Sequence, residues 1–149
     1  SKEEIIIALI DYLTANLNER VGTIVRQDIA ADEKLTQLFK SQLEYFCANP
    51  HFVVAVFSDG LLDESERINE AIYNLMGTMM HHLLPVIIEG QDQGIFTNRI
   101  EADALLHIIM GTFRLEMYKW RITGFGFDII EEGNAMISQV MLLVKKSSS

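Results

Sequence analysis

The sequence predicts an all-α fold, a bundle of about six helices, and three observations carry that prediction. Apolar residues recur at spacings of three and four through almost the whole chain. No stretch alternates with period two for long enough to demand a strand. The breaks between apolar stripes hold the capping and stop residues that helices use. At 149 residues, 49% of them hydrophobic and 22% charged, the chain is one domain by size and can fill a single core. Two prolines and no long polar tract exclude a disordered chain.

The first helix opens on a capping box, with Ser1 accepting from the Glu4 N–H while the Glu4 side chain reaches back. Its stripe, Ile6, Leu9, Ile10, Leu13, Leu17, Val21 and Ile24, carries it toward Gln27. Asp32 is the expected cap of a second helix, whose face holds Leu35, Phe39, Leu43 and Phe46. Asn49 and Pro50 end it and start a short third helix, "HFVVAVF", because asparagine caps and proline suits the first helical position. Gly60 and "DESE" separate this from a fourth helix with the stripe Ile68, Ile72, Leu75, Met79, Leu83 and Ile87, reaching Gln93. Pro85 lies inside it and predicts a kink or local opening at the His81 carbonyl. Gly94 suits a left-handed stop. "NRIE" predicts a second capping box, Asn98 to Glu101, starting a fifth helix that ends near Thr123 and Gly124. A sixth runs from Asp128 to Lys145. The final "KKSSS" frays, which sets the domain at residues 1–146 and a polar tail at 147–149.

The fifth helix is apolar on two sides. Ala102, Leu105, Ile109, Phe113 and Trp120 form one stripe, and Ala104, Ile108, Gly111, Leu115 and Tyr118 form another on the opposite face. A peripheral helix of a small monomer needs only one apolar face. The sixth helix similarly gathers Ile130, Ile137, Val140, Met141 and Val144 on one side. These two sets predict a homodimer in which two helices from each subunit form a four-helix bundle, with Gly111 and Ala104 allowing close backbone approach.

A formal net charge of −9 repels a polyanion, so these residues do not bind DNA by themselves. His81 and His82 are adjacent and diverge on a helix, and no His-x-x-x-His or Cys-x-x-Cys pattern occurs, so neither a metal nor another cofactor is expected. "GFGF" and "EGQDQG" read as turns rather than phosphate loops, and no nucleophile triad has a local signature. An enzyme is therefore disfavoured. Cys47 is the single cysteine and reads as a spectator thiol. With no secretory signal and no long apolar run, the expectation is a soluble, cytoplasmic protein that does not engage membranes. Met76, Met79 and Met80 lie near Tyr73, and Phe113 near Met110 and Met117. With Tyr12, Phe46 and Phe57 they give the composition of an adaptable small-molecule pocket, or of a filled core.

Several segments, in order and spacing, resemble the C-terminal regulatory domain of the tetracycline-repressor (TetR) family of bacterial transcription regulators. "SKEEI" is similar to the start of the family's connecting helix, and "LEYFCANPHFVVAVF" to the region with Asn-Pro between two regulatory helices. "IIEGQDQGIF" resembles the end of the next long helix; "IIMGTFRLEMYKW" and "GFGFDIIEE" resemble the two dimerisation helices. The resemblance implies that the chain begins where a helix-turn-helix head ends, and that DNA is reached only through that head. It also implies a small-molecule effector, apolar or amphipathic, that moves the connecting helix. Helix phase and the resemblance together place the pocket among Leu9, Tyr12, Phe46, Phe57, Tyr73, Met76, Met80, Phe113 and Met117. The metal-assisted recognition of tetracycline is not supported by these residues. Two other readings stand beside this one: a dimerising helical module with a filled core and no ligand, and a helical enzyme.

Overall fold

In the computed structural model, which describes residues 1–57, 60, 63 and 65–147, six helices follow one another: α1 (Lys2–Val25), α2 (Ala31–Ala48), α3 (Pro50–Val56), α4 (Glu66–Asp92), α5 (Ala102–Ile122) and α6 (Ile129–Val144). Glu64 of the acidic stretch and the last two tail serines lie outside the described residues.

The capping box expected at Ser1 forms, the Asn-Pro start holds through its proline without an asparagine side-chain cap, and the caps expected at Asp32 and Asn98 do not form. Ser1 caps α1 through the full box with Glu4, and Asp128 caps α6 by accepting from the Ile130 and Glu131 N–H groups, both at 3.1 Å. Asn49 precedes Pro50 at the start of α3, although its amide is turned back to donate to the Tyr45 carbonyl. Asp32 is not a cap: α2 starts one residue before it, from Ala30, and its carboxylate pairs instead with Lys145 at 3.1 Å. The expected Asn98 box does not form either. Gln91 donates to the carbonyls of Thr97 and Ile100, Asn98 donates to the Gln91 carbonyl, and α5 starts later, behind Glu101. Helix α4 gains a cap the sequence reading passed over, Ser65, which accepts from the Ile68 N–H at 3.1 Å, and it continues through Pro85. Gly94 takes the left-handed conformation at φ 73°.

Helices α1 and α4 share the most extensive contact, α2 lies against α6, α4 and α1, and α5 packs on α4 and α6 and touches α3. Each contributes one phase of residues to a common core: Ile10, Leu13, Leu17 and Val21 from α1; Leu35, Leu38 and Leu43 from α2; Leu83, Val86 and Ile87 from α4; Leu105, Ile109 and Met117 from α5. Helix α4 is by length and composition apolar enough to cross a membrane, and its apolar face is spent on this core. Gly133 brings α6 close to α2, because a Cβ there would collide with the Leu43 side chain. The chain end is tied back by an isolated bridge between Phe96 and Lys145, with the Thr97 N–H donating to the Val144 carbonyl and the Lys146 N–H to that of Ile95.

Candidate functional site

Helices α2 and α5 meet through large side chains. The Phe113 ring on α5 sits 5.8 Å from that of Phe39 and 6.1 Å from that of Phe46, both on α2, and Phe46 lies 6.1 Å from Phe57 at the end of α3. Met117, one turn beyond Phe113, is wholly buried. Three of the expected pocket residues, Phe46, Phe57 and Met117, thus belong to the buried core, and Phe113, Leu9 and Met80 pack partly buried against it.

The other three do not. Tyr12 is 61% exposed, Tyr73 75% and Met76 39%. Successive helical residues turn by about 100°, so Tyr12 points away from the buried set on α1, and Tyr73 and Met76 each follow a buried residue, Ile72 and Leu75, onto the outer side of α4. Tyr12 stacks over Phe52 at 5.9 Å, and Tyr73 borders an open groove with Asn69, Glu70, Asn74 and Gly77.

Two buried polar residues with an unpaired oxygen escaped the sequence reading. Gln42 on α2 and Glu116 on α5 are each only 4% exposed, and Gln42 Oε1 and Glu116 Oε2 meet no hydrogen-bond partner among the described residues. Gln42 falls between Phe39 and Phe46 on α2, and Glu116 follows Phe113 by one turn, so a polar letter at an apolar phase was the available signal. Burial pushes the Glu116 carboxyl above its ordinary range; Lys119, 3.9 Å from Oε1, opposes this and Glu132 adds to it. Lys119 is shared, lying 3.5 Å from Glu132.

A separate cluster pins α1 to α2. Arg20 donates from Nε to Asn16 at 2.6 Å and from Nη1 to Ser41 at 3.0 Å, and its guanidinium stacks 4.0 Å from the Tyr45 ring. It borders an open cleft with Glu19 and Thr23. Among the described residues no group of three His, Cys, Asp or Glu side chains is arranged to hold a metal ion.

The second apolar stripe of α5 faces outward. Ala104, Ile108, Gly111 and Leu115 are exposed, Tyr118 is half-buried, and Ile122 extends the row; a Cβ on Gly111 would point into open space. The α6 assignment needs correction. Ile137, Val140, Met141 and Val144 are buried within their own chain, in the helix that packs on α2, and Ile130 is half-buried. The outward apolar residues of α6 are Ala135, Leu142 and Leu143, the leucines being 75% and 60% exposed.

The family model for the C-terminal region of YsiA-like proteins, one of the TetR C-terminal families, matches residues 13–145, nearly the whole chain. The chain belongs to that TetR family. It is the ligand-binding C-terminal domain of a TetR-family transcriptional regulator and not an enzyme. Regulators of the family bind small-molecule effectors and act as dimers on DNA. No curated protein matches this TetR domain in sequence. Among solved structures it is similar to the transcriptional regulator FadR from Bacillus subtilis in complex with stearoyl-CoA, with TM-score 0.83 and 16% identity over 95% of this chain and 75% of that one. It is similar too to the fatty acid degradation regulator FadR from Bacillus halodurans, with TM-score 0.78 and 18% identity over 95% and 71% of the two chains. A third likeness is to the ketosteroid transcriptional regulator KstR2 of Mycobacterium tuberculosis, with TM-score 0.79 and 21% identity over 99% and 74%. At these identities the likeness establishes the all-helical TetR fold.

Proposed function

We propose that this domain senses an amphipathic molecule with a long apolar body, which enters between α2 and α5 and is lined by Phe39, Phe46, Phe57, Phe113 and Met117, with Leu9 and Met80 at its edge. The observation that carries this reading is the α2–α5 contact itself, made by aromatic side chains that can swing apart, rather than by close backbone packing. Stearoyl-CoA, bound to the Bacillus subtilis FadR, is the first ligand to try.

Two copies join through Ala104, Ile108, Gly111, Leu115 and Tyr118 of α5, together with Ala135 and Leu142 of α6. The response leaves through α1, which shares its longest contact with α4 and is paired to it by Glu3 and Arg67 at 2.8 Å. A DNA-reading head joined to the N-terminal end of α1 receives it, in the cytoplasm where the operator lies. Only a ligand that binds one arrangement of α1 better than the other shifts the heads; equal affinity for both shifts nothing.

A thermal-shift titration tests the site. Stearoyl-CoA at about a hundredfold excess over its Kd should raise Tm by roughly 5–10 °C. The variant Phe113→Trp, which adds bulk where α5 meets Phe39 and Phe46, should fold and lose most of that rise. An undiminished shift in the folded variant places the ligand elsewhere.

A further inference from the structure

We propose that Gln42 and Glu116 form a polar anchor inside the α2–α5 interior that receives a neutral hydrogen-bond donor, a hydroxyl or an amide N–H, carried by the bound amphiphile. This rests on the reading of that interior as the ligand site. Buried polar atoms in folded proteins are almost always paired, because leaving one unpaired forfeits the hydrogen bonds it had in water. Here two such atoms, on different helices, are both oxygens and both unpaired. Their helices carry them on the faces that meet through Phe39, Phe46 and Phe113.

Among the described residues no group donates to either atom. Lys119 approaches the other oxygen of Glu116 and is drawn toward Glu132, so Oε2 is left over. What is missing is therefore a donor group, and an apolar body bearing a hydroxyl or amide brings it while its chain lies among the rings. A carboxylate brings no proton to donate and adds a third negative group beside Glu116 and Glu132. The anchor thus selects alcohols and amides against both ethers and acids of the same chain length.

Matched ligands read this directly. The 149-residue chain is titrated calorimetrically at pH 7 with 1-decanol, decanamide, decyl methyl ether and decanoate. Decanol and decanamide should bind about tenfold or more tightly than the ether, the size of one well-made hydrogen bond, with decanoate weaker still. In Gln42→Met and Glu116→Met, which keep volume and remove the acceptors, that preference should shrink while the affinity for the ether holds. Equal binding of decanol and ether by the unaltered chain overturns the anchor and leaves the ligand site standing, and this arm does not depend on either variant folding. Failure of all four to bind overturns both, and a preference surviving in folded forms of both variants overturns the assignment to these two residues.

Discussion

Glu116 is the side chain at which burial and charge work against each other most openly. Its carboxyl is raised because the ionised form loses water on folding, and the partial compensation by Lys119 does not restore it. A raised folded-state value means that the folded chain holds the proton better than the unfolded one. The stabilisation is then complete below the ordinary value of 4.5 and is lost as pH rises through the folded value. Glu116→Gln, which never ionises, should therefore be more stable than the parent at pH 7, and the gap in Tm should close as pH falls toward 4. Comparing the two proteins at each pH cancels His82, whose pKa is lowered by burial, His81 and Arg26, and which costs stability as pH drops below 6.5. A gap that stays constant with pH would mean that Glu116 titrates alike in the folded and unfolded chains, and that burial does not raise it. Neither Glu116 nor Gln42 was legible as a site residue, because a polar residue at an inward phase reads the same in sequence whether it is buried or snorkels to water. Tyr12 erred the other way: a large aromatic suggested a pocket, and one helical step turned it outward onto Phe52.

Helices show which signals are local and which yield to tertiary contacts. The apolar period and the Asn-Pro start located all six, and the cap at Ser1 stood because nothing competes for that side chain. The Asn98 box lost because Gln91, at the end of α4, already fixes the loop with bonds to Thr97 and Ile100 at 3.1 and 2.9 Å. Replacing Gln91 by Leu frees two carbonyls and should cost about 1–3 kcal/mol in denaturant unfolding. A loss below a few tenths would show that the loop holds itself. The orientation of α6 was also beyond the sequence. Two of its sides are apolar, and the choice is made by Gly133, whose missing side chain admits Leu43 and draws Ile137, Val140 and Met141 inward. Periodicity gives the stripes of a helix; close approach to a neighbour decides which one is covered.

At the scale of the molecule, the proposed function gives the outward row on α5 and α6 to dimerisation and the aromatic interior between α2 and α5 to the ligand. Ile108, Leu115, Ile122 and Leu142 leave a stripe that one chain cannot cover, and a typical stable interface takes about 800 Å² from each partner. Leu115→Glu with Ile108→Glu should give a folded monomer by sedimentation, since both side chains already face outward. Two charges then face their own copies across the symmetry axis. A dimer of unchanged strength would put the contact on another face.

The interior has its own reporter. Trp120, the single tryptophan, is buried on α5 one turn from Met117 and Glu116, with its indole N–H donating to the Phe127 carbonyl at 3.1 Å. Titrating the chain with stearoyl-CoA while following Trp120 emission is the most direct measurement. A saturable change with one ligand per chain is predicted, because a molecule that parts Phe113 from Phe39 and Phe46 alters the packing of the α5 face that Trp120 shares. Emission that stays flat, or drifts without saturating, would contradict a ligand site between α2 and α5.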